Sequence, residues 1–180
     1  MEKDAHIREL YLAGECEKAF SVLVSQYSEQ LYWHIRTMVA SHEDTNDILQ
    51  NTFIKAWNNL PGFRWESSLF TWMYRIATNE SLNFLKAAEA RAHFSMTDYE
   101  NVLSARLEAD PYFNGNDLQR KLCKLVLELP AKQRAVFSMR YFKQMPYEEI
   151  AQITDTSVGA LKASYHHAYM KIKEALDAND

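Results

Sequence analysis

Residues 145–172, MPYEEIAQITDTSVGALKASYHHAYMKI, read as two helices joined by a tight turn. In the first, Tyr147, Ile150, Ala151 and Ile153 fall at helical spacing behind Pro146, a residue suited to a first helical turn. The turn is Thr154-Asp155-Thr156-Ser157. Asp155 stands where a left-handed backbone is often needed, and aspartate tolerates that conformation better than most non-glycine residues. Ser157 is a good N-cap for a second helix whose apolar stripe is Val158, Leu161, Tyr165, Ala168 and Ile172. Two helices of this length and separation match a helix-turn-helix, whose second helix enters a DNA major groove. The same pattern also describes an ordinary helical hairpin inside an all-α protein.

Outward from that stretch the chain stays helical. Its 180 residues suit one ordinary domain or two small ones, and 47% apolar residues supply real cores. There are four Gly and four Pro, and strand-like alternation is nearly absent, so the fold class is all-α. No apolar run is long enough to span a bilayer. The N-terminus, MEKDAHIREL, lacks an apolar segment behind a basic one and does not read as a secretory signal. Cys16 and Cys123 form no CxxC pair and read as reduced thiols of a cytoplasmic protein. The net charge of −4 argues against a freestanding DNA binder held mainly by phosphate neutralisation. Only residues 117–180 lean basic, with ten Lys/Arg against eight Asp/Glu. A chain of this balance that touches DNA draws much of its affinity from a partner.

Residues 5–39 predict one or two core helices broken at Gly14-Glu15, with Ile7, Leu10, Tyr11, Leu23, Tyr27, Leu31 and Ile35 on a 3.6-residue period. The next helix, 42–60, has Ser41 as its cap and Glu43, Asp44 and Asp47 near its positive end. Its expected buried stripe is Ile48, Thr52, Phe53, Ala56, Trp57 and Leu60. Ile54 is left among polar neighbours, which hints at a partner surface. After Pro61-Gly62 comes the loop Phe63-Arg64-Trp65-Glu66-Ser67-Ser68, and Ser67 or Ser68 caps a long helix. Its expected core face is Leu69, Trp72, Met73, Ile76 and Ala77. The opposite face then offers Phe70, Thr71, Tyr74, Arg75, Thr78, Asn79, Asn83 and Lys86. Aromatics beside amides and cations suit stacking on unpaired bases, and also suit a merely solvated face. Residues 87–116 are acidic and lack a sustained period, as a linker would. Two further helices follow in 117–142, with Leu118, Leu122, Leu125, Val126 and Leu129 lining the first. Their Lys and Arg side chains are candidates for touching phosphates.

Three segments carry a resemblance. Pro146-Tyr147-Glu148-Glu149-Ile150-Ala151 with Val158-Gly159-Ala160-Leu161-Lys162-Ala163 resembles the C-terminal domain of bacterial sigma factors of the extracytoplasmic-function type. Residues 44–57, DTNDILQNTFIKAW, resemble the segment of these proteins that grips the clamp helices of RNA polymerase, and residues 63–77 resemble the promoter-melting segment that follows. Leu129-Pro130-Ala131-Lys132-Gln133-Arg134 also fits the family. The segments stand in the family's order and cover most of the chain.

That resemblance implies two small helical domains: residues 1–88 as sigma region 2, residues 89–116 as linker, and residues 117–180 as the region 4 helix-turn-helix. It implies core RNA polymerase and promoter DNA as partners, and for many relatives an anti-sigma factor. The implied polymerase contacts are Asp44, Asp47, Ile48, Gln50, Asn51, Ile54 and Lys55. The implied minus-ten contacts are Phe63, Arg64, Trp65, Ser67 and Ser68 in the loop, then Phe70, Thr71, Tyr74, Arg75, Asn79, Asn83 and Lys86 on the helix. Those for the minus-thirty-five element are Ser157, Gly159, Ala160, Lys162, Ala163, His166 and His167. The chain departs from the family at Phe70, Ser164, His167 and Tyr169, where basic residues are common. It carries no nucleophile–base pair, Gly-rich phosphate loop or Cys/His metal spacing. No enzymatic activity, cofactor, metal ion or small-molecule substrate is therefore expected. The alternative is an autonomous helix-turn-helix regulator with an N-terminal sensing or dimerisation domain.

Overall fold

The computed structural model describes residues 2–92 and 117–178, which form eight α-helices and one 3₁₀ turn, with no strand among the described residues. The order is α1 (Glu2–Leu12), α2 (Cys16–Val39), α3 (His42–Asn59), the 3₁₀ turn Leu60–Gly62, α4 (Leu69–Ala92), α5 (Asp117–Leu127), α6 (Ala131–Tyr141), α7 (Tyr147–Thr154) and α8 (Val158–Asp177). The break between α1 and α2 falls at Gly14, whose φ of +83° is open to glycine at no steric cost. Ser41 caps α3 by accepting the Asp44 N–H at 3.2 Å. Ser68 caps α4, accepting the Thr71 N–H at 3.0 Å. The helix α4 runs on to Ala92, so the first four residues of the expected linker are helical. The rest of that expected linker, residues 93–116, lies outside the described residues.

The helices α2, α3 and α4 pack pairwise, and α1 lies along α2. Leu23, Leu31, Ile35, Met38, Leu69, Met73 and Ala77 are wholly or almost wholly buried there. In the C-terminal half α8 packs on α5, α6 and α7, over a smaller core of Val126, Leu129, Phe137, Ala168 and Ile172. The two halves also touch. α7 lies on α4 and α6 on α2, and one continuous apolar cluster runs from Leu31 and Met73 to Met139, Ile150 and Leu161. Arg134 is almost fully buried at this junction, donating to the Met38 carbonyl on α2, to Leu127 at 2.7 Å and to Leu129 at 3.1 Å. Among the candidate phosphate contacts of α5 and α6, Arg134 is therefore withdrawn: its guanidinium is spent on three carbonyls.

Candidate nucleic-acid interface

The helix-turn-helix is built from short-range bonds. Asp155 adopts φ +50° and ψ +45°, and its N–H donates to the Ala151 carbonyl, ending α7. The Thr154 hydroxyl donates to Ile150 O at 2.8 Å. Ser157 then caps α8, accepting the Ala160 N–H at 3.3 Å. Ile150, Ile153 and Leu161 close the space between the two helices. Ser157, Gly159, Ala160, Lys162, Ala163, His166 and His167 are all exposed, so α8 presents a slim, small-residue N-terminal turn. A Cβ at Gly159 would meet nothing within 4 Å, which leaves the space in front of the backbone open to a ligand. Lys162 Nζ rests 5.8 Å from the centre of the Tyr147 ring. Arg140 braces the same ring at 4.9 Å and donates to the Met145 carbonyl at 3.0 Å.

The second surface is the loop 63–68 with the outer face of α4. Phe63 packs between Trp65 (centroids 5.0 Å apart) and Trp72 (4.6 Å). Trp65 has φ +60°, an uncommon conformation for a bulky residue. Phe63, Trp65, Ser67 and Phe70 are half-buried, while Arg64, Ser68, Arg75, Asn79, Asn83 and Lys86 are exposed. Two expected contacts are corrected. Thr71 is buried with its hydroxyl 2.8 Å from that of Ser68. Tyr74 is 1% exposed, with its ring stacked on Phe70 at 4.3 Å and its hydroxyl donating to Gln30 O at 3.4 Å. Both residues serve the interior. Thr78, also expected to face outward, is buried too.

The reason is that α4 is covered on two sides, by α2 and α3 and again by α7. Within that double layer lies His34 of α2, 2% exposed. The Thr78 hydroxyl gives its only hydrogen to the Tyr74 carbonyl at 2.7 Å, so His34 Nε2 must be the donor in its 2.8 Å bond to Thr78. Burial, and secondarily the charge of Lys143, holds the His34 pKa down at about 4, so the ring is neutral near pH 7.

On α3, Asp47, Gln50, Asn51, Ile54 and Lys55 are exposed and Asp44 is half-buried. Ile48 is corrected: at 2% exposure it faces the core and has no surface to offer a partner. Trp57 is the opposite case. Expected in the core, it is 41% exposed, one helical turn from Ile54 at 51%, and its ring meets Phe20 edge-to-face at 5.0 Å between centroids. The pair makes an apolar patch that the buried-stripe reading missed, although the three-residue spacing from Ile54 was visible. Lys55 pairs with Glu80 of α4 at 2.5 Å, tying this face to that helix.

The two surfaces face each other. The Arg75 guanidinium donates to the Gln152 carbonyl near the C-terminus of α7. A cavity of about 280 Å³ is lined by Thr78, Asn79 and Leu82 of α4 and by Ala160, Leu161 and Ser164 of α8. A second, of about 450 Å³, lies between Asn79, Asn83 and Lys86 and the Leu129–Arg134 stretch. Among the described residues no three His, Cys, Asp or Glu side chains gather as a metal site, and no helix is long and apolar enough to cross a membrane.

A helical protein with a capped helix-turn-helix behind an aromatic loop and an amide-rich helix face has the parts of a promoter-recognition factor. Residues 23–91 match the family Sigma-70 region 2, and residues 119–172 match Sigma-70, region 4. The chain is 31% identical to the ECF RNA polymerase sigma-E factor of Haemophilus influenzae, over 89% of this chain and 88% of that one. Identity to the sigma-E factor of Escherichia coli K12 is also 31%, over 89% and 86% of the two chains. The fold is shared with CnrH, solved in complex with the cytosolic domain of CnrY (TM-score 0.71, 21% identity, 99% of each chain). It is shared too with the sigma factor RpoE of Bartonella quintana, solved with the anti-sigma factor NepR (TM-score 0.69, 19% identity, 91% of this chain and 99% of that one). The chain belongs to the ECF sigma factors of the sigma-70 family. Its function is that of a sigma factor, a transcription initiation factor working with RNA polymerase.

Proposed function

We propose that the roles divide between the two halves, with residues 1–88 as the polymerase-binding and melting domain and 117–180 as the minus-thirty-five reader. The observation that carries this is the pairing of a slim, exposed α8 N-terminus with a separate aromatic loop and amide-lined α4 face. The helix-turn-helix docks α8 in the major groove. There Ser157, Gly159, Ala160 and Ala163 allow close approach, and Lys162, His166 and His167 supply donors to phosphates or base edges. The exposed N–H groups at the start of α8 favour a phosphate. On the minus-ten element, Phe63, Arg64, Trp65, Ser67 and Ser68 hold an extruded base, and Phe70, Asn79, Asn83 and Lys86 follow the single strand. Capturing the base offsets the few kcal/mol, roughly, that unstacking costs, so binding favours the open state.

Polymerase docks on α3 through Asp44, Asp47, Gln50, Asn51, Ile54 and Lys55, with Trp57 added. Arg75 joins the minus-ten surface once it releases Gln152, so promoter engagement requires the two halves to part. An anti-sigma protein is the partner expected to oppose that parting, and the protein works in the cytoplasm without catalytic activity, cofactor or metal.

Run-off transcription on a genomic promoter pool, with bacterial core polymerase from a matched source, tests the reading. Discrete new start sites that appear only with this protein are the expected result. No new starts, together with duplex binding by the protein alone, would move the assignment to an autonomous regulator, a reading the family comparisons do not favour.

A further inference from the structure

The helix α1 lies before the region 2 match, which begins at residue 23. It nevertheless reaches the loop that the reading above makes the base-capturing element. Asp4, Ile7, Arg8 and Tyr11 share one face at i, i+3, i+4 and i+7. The first two anchor α1 to α2. Asp4 Oδ1 accepts from the Tyr27 hydroxyl at 2.6 Å and from Gln26 Nε2 at 3.1 Å, and Ile7 is fully buried. The last two reach forward to Trp65. Its ring lies 6.1 Å from the Tyr11 ring, and the Arg8 guanidinium carbon sits 5.7 Å from its centroid. The far side of the loop is closed by Phe63 and Trp72.

Trp65 holds φ +60°, and a bulky residue keeps such a conformation only where its surroundings over-determine it. Within residues 63–68 its ring contact is to Phe63; Tyr11 and Arg8 come from another helix. A loop that must trap one unstacked base gains from being held in its binding shape beforehand, because ordering it at the moment of capture would subtract from the binding.

We infer that α1 is a positioning element for promoter melting, with Arg8 and Tyr11 clamping Trp65 so that the loop 63–68 is preformed for the extruded base. The inference rests on the melting role of that loop. Neither residue is required to touch DNA: Tyr11 supplies a ring contact and Arg8 a cation over the indole face.

The test uses the full chain assembled with matched core polymerase on a promoter found by run-off transcription. Strand opening is read by the fluorescence of 2-aminopurine placed in the minus-ten element. Tyr11→Ala and Arg8→Ala should each slow opening about three- to tenfold, the range of a single aromatic or cation–π contact. Core affinity should stay unchanged, Arg8→Ala should leave thermal unfolding unchanged, and Tyr11→Phe should open at the parent rate. Trp65→Ala should slow opening at least as much, and adding Tyr11→Ala to it should cost little more. Arg8 is exposed, so Arg8→Ala keeps the test sound if Tyr11→Ala disturbs folding. Slow opening by Trp65→Ala alone, with both α1 variants at the parent rate, overturns the clamp and leaves the loop's role intact. Parent-rate opening by Trp65→Ala removes the loop's role and the clamp with it. Fully additive losses would mean that α1 acts elsewhere, and would also overturn the inference.

Discussion

In the helix-turn-helix every turn-defining bond closes within a few residues, whereas the loop 63–68 is held by rings and a cation drawn from α1 and α4. On the proposed roles, the difference follows from what each surface would meet. A duplex groove accepts a stiff, narrow rod, and a capped helix starting Ser157-Val158-Gly159-Ala160 is one by local chemistry alone. An unstacked base needs a walled, apolar seat, and such walls come only from side chains distant in sequence. The two halves differ in charge chemistry as well. The exposed start of α8 has one lysine, resting on Tyr147, and the α4 face has Arg75 and Lys86 among its amides.

The largest test of this contrast is Leu161→Ala, which empties the seam between α7 and α8. It should cost about 2–5 kcal/mol of stability in urea unfolding. All four tryptophans (Trp33, Trp57, Trp65 and Trp72) lie in the N-terminal half, so their fluorescence reports that half separately. If the halves unfold independently, the tryptophan transition keeps its midpoint while promoter binding with core polymerase is lost. A shift of both would make the shared apolar cluster a cooperative unit.

Next in size is a pH effect centred on His34 of α2. The folded pKa of His34, about 4, lies below the unfolded value near 6.5, so the unfolded chain binds the extra proton between those values. The stability due to the neutral, buried ring is complete above pH ~6.5, declines as pH falls, and is gone below about 4. The loss amounts to about 3 kcal/mol. Denaturant midpoints by tryptophan fluorescence across that window should decline, and His34→Gln, which can still donate to Thr78, should flatten the decline.

The smallest effect should come from Lys162→Ala on the opposite side of the comparison. If Lys162 meets a phosphate, the variant lowers the salt slope of promoter binding by about 1, uniformly across promoter sequences, and leaves stability nearly unchanged. A change at one base position only would make it a base contact instead.

The degree to which each site was legible tracks the range of its interactions. Asp155 as a left-handed residue, Ser157 and Ser41 as caps, and Gly14 as a break were readable because each acts on its immediate neighbours. The exposed α8 positions followed from one apolar stripe packed on one side. On α4 the single-stripe reading failed for Thr71, Tyr74 and Thr78, since this helix is covered from two directions. On α3 it failed for Trp57, which is 41% exposed, whereas Ile48 lies in the buried stripe as that reading had it and loses only the polymerase contact that the resemblance implied. Arg134 was unreadable as a buried residue because its acceptors, the carbonyls of Met38, Leu127 and Leu129, include one 96 positions away.

By itself, then, the sequence determined an all-α chain with a helix-turn-helix at its C-terminal end, the caps and turn that shape it, and the family to which its segments belong. Spacing, capping and turn propensity act over one or two helical turns, so a linear string records them. Only the tertiary structure decided which aromatics of residues 63–77 face inward and that Trp57 stays outside. It also brought Arg8 and Tyr11 to Trp65, and turned the α4 face and the start of α8 toward each other. Those outcomes depend on what packs against the far side of a helix, and burial of that kind is a property of neighbours that the chain brings from elsewhere.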